Sequence, residues 1–234
     1  VSFLRSVDST NSMAGRLAKE FARDDEWPPR TLLLAVEQTD GRGRADRSWE
    51  SAAGEGVYAT LMLTLDDAQH LQSLPLRVAV GLARALDALT GRPCEIKWPN
   101  DLLVGGAKIG GILIETVARG DGALAILGFG INHGRVPTLV DRRATSIRDL
   151  HASAVALPAA AALLVESLEY SLTEEMPIAE YTRRSAHRLG DAMLCRVGNE
   201  TVRGEFAGFD ARGFLRLRAA GGERVLSAAE VIES

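Results

Sequence analysis

Apolar residues recur along the chain with two different periods, which separate candidate strands from candidate helices. Residues 1–7 alternate loosely and read as a short strand. Asp8, Ser9, Thr10 and Asn11 then supply helix-capping side chains, and Met13, Leu17 and Phe21 follow at four-residue spacing. That spacing predicts a helix burying the stripe, ended by Trp27, Pro28 and Pro29. Residues 31–37 form a continuous apolar run of strand length, and residues 57–65 read as the next strand. Val78, Leu82, Leu86 and Leu89 mark a long amphipathic helix that stops near Gly91. Residues 94–98 read as a strand cut by Pro99, Asn100 and Asp101. Residues 102–104 and 107–116 read as two strands joined at Gly105 and Gly106, a favourable two-residue hairpin turn. Residues 123–131 make a further strand, and residues 157–175 and 178–185 read as helices.

After about His187 the texture changes. Short alternating runs at residues 192–197, 201–206, 214–217 and 224–226 are separated by Gly- and Asn-rich turns. This spacing predicts a small β-barrel-like unit at residues 187–234, appended to a main α+β domain at residues 1–186. So small a unit cannot hold a large core of its own and is expected to pack on the main domain.

Composition narrows the field. The 234 residues are 46% hydrophobic and 25% charged, which is ordinary for a globular protein. A net charge of −4 argues against a general binder of nucleic acid or membrane surfaces, although locally basic stretches can still handle a phosphate. The two cysteines, Cys94 and Cys195, lack metal-ligand spacing and read as buried apolar residues. No charged-then-apolar leader opens the chain, and no apolar run reaches the ~20 residues needed to span a bilayer. The expectation is a soluble cytoplasmic protein.

Two stretches carry candidate chemistry. Gly41, Arg42, Gly43, Arg44, Ala45, Asp46, Arg47, Ser48 and Trp49 interleave glycines with arginines. Glycines let backbone N–H groups approach a ligand, and guanidinium forks suit phosphate or carboxylate oxygens. Alone, such a run equally describes a solvated loop. The second stretch, Lys97, Trp98, Pro99, Asn100, Asp101 and Leu102, precedes Lys108 by a few residues. If the hairpin at Gly105 and Gly106 forms, it returns Lys108 to Asp101. An acid and an amine beside a phosphate loop suit acyl transfer, whereas alone they describe a turn and an exposed lysine.

The ordered set is more specific than any member of it. Asp8-Ser9-Thr10-Asn11, Gln38-Thr39 with Gly41-Arg42-Gly43-Arg44, Lys97 to Asp101, Lys108 with Gly111-Ile112-Leu113 and Glu115, and Gly128 with Gly130-Ile131-Asn132 together resemble the biotin–protein ligase family. The resemblance covers nearly the whole chain. It implies a mixed β-sheet packed with helices, related to class II synthetase catalytic domains, plus a small C-terminal SH3-like barrel. It implies a two-step reaction in which biotin and ATP give biotinyl-5′-AMP, whose acyl group passes to one lysine of a biotin carboxyl carrier protein domain. Mg²⁺ is expected with the triphosphate.

By the same resemblance, Ser9, Thr10, Asn11 and Gln38 would bind the biotin ring system. Gly41, Arg42, Gly43 and Arg44 would order over the activated intermediate, with Gly111 also at the biotin site. Lys108 would neutralise charge between the biotin carboxylate and the α-phosphate, and Asp101 would meet the incoming lysine amine, so that Lys108, Asp101 and Arg44 form the catalytic set. Arg42, Arg44, Trp49, Lys97, Trp98, Asn100, Lys108 and Asn132 would line the nucleotide side. No protein metal ligands are expected.

Two positions depart from the family pattern. Asp46 stands where the loop usually has its third glycine, adding a negative charge near phosphates. His133 and Gly134 replace a small apolar residue and Asn, and His133 reads as a polar residue at a strand end. No helix-turn-helix segment precedes the catalytic motifs, so no sequence-specific DNA binding is expected, and the family allows monomers or homodimers. The rival readings are a lipoate–protein ligase or octanoyltransferase, a non-catalytic biotin or nucleotide sensor, and an RNA-binding module built on the Arg-Gly loop. The first lacks this Gly-Arg-Gly-Arg and Lys-Trp-Pro-Asn-Asp combination. A sensor would not need both Lys108 and Asp101, and the negative charge and few aromatics count against RNA.

Overall fold

Strands that are apolar on both faces need cover on both sides, and the central strands of this chain have it. In the computed structural model, which describes residues 1–23, 26, 28–45, 47–65, 69–119, 122–136, 143–150, 155–175 and 177–233, seven strands form one mixed sheet. They are β1 (Ser2–Leu4), β2 (Thr31–Ala35), β3 (Gly56–Leu65), β4 (Cys94–Lys97), β5 (Asp101–Val104), β6 (Ala107–Arg119) and β7 (Gly122–Asn132), in the order β1-β2-β3-β7-β6-β5-β4. Only the β1–β2 pairing is parallel; the others are antiparallel.

The two-residue period of β3 and β7 divides the covering helices. Met62, Leu124 and Ile126 face helix α1 (Thr10–Arg23), whose small Ala14 and Ala18 let it lie close. Leu61, Ala125 and Leu127 point the other way, into a core built with α2 (Gln69–Thr90) and α4 (Leu157–Thr173). The expected helix at residues 10–23 therefore exists, but its buried residues are Thr10, Asn11, Ala14 and Ala18 rather than Met13, Leu17 and Phe21. Close approach to the sheet selects small residues, and the long side chains flank the contact. Trp27, expected to end this helix, lies outside the described residues.

Other expectations hold locally. Val78, Leu82 and Leu86 are fully buried on α2, which stops at Gly91 with φ of +64°. Gly105 and Gly106, with φ of +58° and +73°, make the β5–β6 turn, the left-handed pair that a tight hairpin requires. The short helices α3 (Ile147–Leu150) and α5 (Ile178–Arg183) complete this unit, and α3 was not anticipated.

The C-terminal strands β8 (Ala192–Val197), β9 (Glu200–Phe209), β10 (Leu215–Ala219), β11 (Gly222–Leu226) and β12 (Glu230–Glu233) form a second, antiparallel sheet, ordered β11-β10-β9-β8-β12. The first four match the alternating runs; β12 was missed. Among the described residues no pairing of β11 with β12 closes the sheet into a barrel. It packs on the main unit as its small size requires: Phe209 meets Tyr181 of α5 edge-on at 4.9 Å, and Phe206 meets His187 at 5.6 Å. No helix among the described residues is long and apolar enough to cross a membrane.

Candidate active site

Missing side chains make the site. Paired residues on neighbouring antiparallel strands share a face, so the pairings Gly111↔Gly130, Leu113↔Gly128 and Thr60↔Gly128 put three glycines on the α1 side of the sheet. A hollow results, and two side chains are seated in it. A Cβ on Gly128 would lie 2.0 Å from Asn11 Oδ1, and one on Gly130 would lie 2.5 Å from Trp49 Nε1.

The start of α1 forms one wall. Asn11 is buried; its Nδ2 donates to Glu115 Oε2 at 2.9 Å and to the Leu113 carbonyl at 3.2 Å, and its Oδ1 accepts from Thr60 at 2.7 Å. Gln38 Oε1 accepts from the Thr10 amide at 2.8 Å and from its hydroxyl at 3.1 Å, while Gln38 Nε2 donates to Ser51 Oγ at 2.8 Å. Ser9 is buried at the helix N-terminus, its backbone carbonyl accepting from the Met13 amide at 2.9 Å. This polar cluster is tightly cross-bonded, as buried polar groups must be.

The Gly-Arg stretch folds as a small hairpin. The Trp49 amide donates to the Gly41 carbonyl at 2.7 Å, and the Gly43 amide to the Arg47 carbonyl at 2.6 Å. Gly41 is required for packing, because a Cβ there would come 2.2 Å from the Trp49 carbonyl; it sits beneath the cavity lining. Arg42 reaches back across the cavity to Glu115, with contacts of 2.9 and 3.3 Å. Burial and the neighbouring Arg47 push the Arg44 guanidinium below its ordinary value, and the carboxylates of Glu230 and Asp101 oppose them. Asp46 lies outside the described residues.

Lys108 Nζ lies 2.5 Å from Asp101 Oδ1 and 5.2 Å from the centre of the Trp49 ring. Strict alternation would send Lys108 to the core side with Gly110 and Ile112. The pairings Leu102↔Gly110 and Leu103↔Lys108 leave Ile109 as an extra residue, and that bulge turns Lys108 to the cavity face. Asn100 braces the same strands, donating from Nδ2 to the Ile112 carbonyl at 2.8 Å.

Ser9, Thr10, Asn11, Gln38, Arg42, Gly43, Arg44, Trp49, Asn100, Asp101, Lys108, Gly111 and Asn132 line one cavity of about 560 Å³. Lys97 and Trp98 do not. They line an adjoining cavity of about 450 Å³ between the two sheets, where Arg44, Arg47, Lys97, Lys108, Arg143 and Arg196 face two carboxylates, Asp101 and Glu230. Trp98 is itself nearly buried and belongs to the core. Asn132 Nδ2 donates to the Thr145 carbonyl at 3.0 Å. His133 is buried beyond β7 with Nε2 2.7 Å from the Val155 carbonyl, which agrees with a polar strand-end residue.

Sequence reasoning assigned no role to Thr60, Ser51, Glu115, Arg143, Arg196 or Glu230. A threonine inside the apolar run of β3 was a usable signal for Thr60. Nothing local announces Arg196 and Glu230, which arrive from the far sheet.

Known proteins resemble this chain in sequence and in fold. The biotin/lipoate A/B protein ligase family matches residues 3–132, and the biotin protein ligase C terminal domain matches residues 194–232. A biotin–acetyl-CoA-carboxylase ligase of Paracoccus denitrificans is 33% identical over 244 residues, covering 97% of this chain and 98% of that protein. The bifunctional ligase/repressor BirA of Bacillus subtilis is 30% identical over 236 residues, covering 96% of this chain and 71% of that one. In fold, the chain is similar to the biotin protein ligase from Aquifex aeolicus solved in complex with biotin and ATP. The TM-score is 0.77 at 24% identity, covering 100% of this chain and 98% of that one. The chain belongs to the biotin/lipoate A/B protein ligase family and carries the C-terminal domain of its biotin protein ligases.

Proposed function

We infer that this protein is a biotin–protein ligase, which activates biotin with ATP and transfers it to a lysine of a carboxylase carrier. The observation that carries the reading is the Lys108–Asp101 pair in a cavity lined by the α1 N-terminus and the Gly-Arg hairpin. Ser9, Thr10, Asn11 and Gln38 hold the ureido end of biotin, and Arg42, Gly43, Gly111 and the packing of Gly41 shape the path of its tail. In the first step a biotin carboxylate oxygen bonds to the α-phosphorus of ATP, the bond to the bridging oxygen of the β-phosphate breaks, and pyrophosphate leaves. Lys108 and Arg44 stabilise the charge that builds between carboxylate and phosphate, while Trp49, Asn100 and Asn132 line the nucleotide side and Lys97 its polyphosphate end.

In the second step the carrier lysine's neutral amine attacks the acyl carbon, the bond from that carbon to the phosphate oxygen breaks, AMP departs, and the proton shed by the new amide nitrogen passes to solvent. Asp101 stands where that amine enters and orients it. A biotin carboxyl carrier domain is the acceptor class this chemistry fits.

Mg²⁺ would enter with the nucleotide. Among the described residues no three His, Cys, Asp or Glu side chains cluster to hold a metal; the ion would draw its ligands mainly from phosphate oxygens and water. When bound it would offset triphosphate charge.

Pyrophosphate exchange into ATP, measured separately with biotin and with lipoate, tests the reading. Exchange with biotin is expected; exchange with lipoate but not biotin overturns it.

A further inference from the structure

The Gly-Arg hairpin is tied to the far sheet. Glu230 Oε1 lies 3.5 Å from Arg47 Nη1, and its Oε2 lies 3.3 Å from Arg196 Nη1. The carbonyl of the preceding residue, Ala229, accepts from Arg44 Nη2 at 3.4 Å. Two arginines of one loop therefore end on consecutive residues of the C-terminal unit. The anchor side is firm: Glu230 pairs with Arg196 in the β12–β8 register, and Ala229 is buried. The loop side hangs from a turn at Arg44 and Ala45.

We propose that Glu230 is a positioning residue for adenylation, latching the hairpin to the C-terminal sheet and so aiming Arg44 into the cavity. The proposal rests on reading that cavity as the site of biotin activation. Its physical basis is charge. Arg44, Arg47 and Arg196 converge at the edge of one cavity and repel one another, and a carboxylate among them lets all three stay. Glu230 is also one of the two acids that sustain the charge of Arg44 against its burial. The C-terminal sheet thereby contributes to the first chemical step without touching the reacting atoms.

The test uses the whole chain with biotin, ATP and Mg²⁺, reading the KM for ATP in pyrophosphate exchange and the lifetime of preformed biotinyl-adenylate on the protein. Exposed ion pairs are individually weak, so about a tenfold effect is expected from the small network. Glu230→Ala and the shape-preserving Glu230→Gln should each raise the KM and shorten the lifetime by about this factor, with the melting temperature little changed. Arg47→Ala should do the same, and Glu230→Ala combined with Arg47→Ala should lose no more than either alone. An unchanged lifetime and KM in Glu230→Gln overturns the proposal, as does a lowered melting temperature with both unchanged. Full additivity of the two losses also overturns it. Absence of biotin-dependent exchange in the unaltered protein sinks the functional reading itself, whereas exchange that Glu230 substitutions leave untouched sinks only the latch.

Discussion

Lys108 reaches Asp101, at 2.5 Å, because Ile109 is an extra residue in strand β6. Without that bulge the two-residue period would bury the lysine on the opposite face of the sheet. The hairpin at Gly105 and Gly106 sets how far the chain travels before returning, and the bulge sets which way the amine points.

Lys108→Ala should therefore abolish most catalysis while sparing the fold. Biotin-dependent pyrophosphate exchange is expected to fall by about 10²–10³, the usual cost of removing one charge-stabilising group. Circular dichroism should report unchanged structure. Turnover equal to that of the unaltered protein would remove Lys108 from the mechanism.

Glu115 holds Arg42 in two contacts and also accepts from Asn11. Its loss should loosen both biotin-site walls before chemistry begins. Glu115→Ala is expected to raise the KM for biotin by roughly tenfold and to change kcat much less, the pattern of lost uniform binding. A drop in kcat at constant KM would place Glu115 in the chemical step instead.

Two glycine substitutions should part company. Gly128→Ala drives a methyl to within 2.0 Å of Asn11 Oδ1, where the amide is fixed by three hydrogen bonds and cannot yield. A stability loss of about 1–3 kcal/mol, as for overpacking, should accompany weakened biotin binding. Gly15→Ala on α1 meets nothing within 4 Å and should stabilise by roughly 0.5–1 kcal/mol through helix propensity. Chemical denaturation and biotin titration of both variants check the contrast, which fails if Gly128→Ala binds biotin normally.

His187 supplies a pH dependence of stability. Its ring is buried where the two sheets meet, its Nε2 has no hydrogen-bond partner, and desolvation, followed by the Lys97 cation, lowers its pKa from 6.5. The unfolded chain then binds the proton more readily, so this contribution is present above about pH 6.5 and is lost as pH falls through the folded-state value. Urea midpoints at pH 7.5 and pH 5.5 should differ less in His187→Gln than in the unaltered protein. An equal difference would assign the acid sensitivity to other groups.

Most of the sheet was legible because its strands are bounded by glycines and turns and run apolar on both faces, as β7 does from Ala123 to Ile131. The candidate site residues come from the motifs, and the geometry gathers most of them around one cavity. Lys97 and Trp98 sit apart in the adjoining one, since the cavity between the sheets depends on how two units dock. The α1 stripe misled because periodicity scores large apolar residues, whereas a helix lying close to a glycine-bearing sheet buries its alanines. The bulge left only a faint mark, the Gly110-Gly111 pair inside a strand. The Glu230 contacts left none, being made by side chains far apart in sequence.

This cavity is expected to make biotinyl-adenylate and to pass its acyl group to a carrier lysine. The most direct measurement is intact-mass spectrometry of a biotin carboxyl carrier domain incubated with this protein, biotin, ATP and Mg²⁺. One added biotin on one lysine is expected, dependent on ATP and lost with Lys108→Ala. A carrier that gains no mass with biotin, or is acylated only when lipoate is supplied, would contradict it.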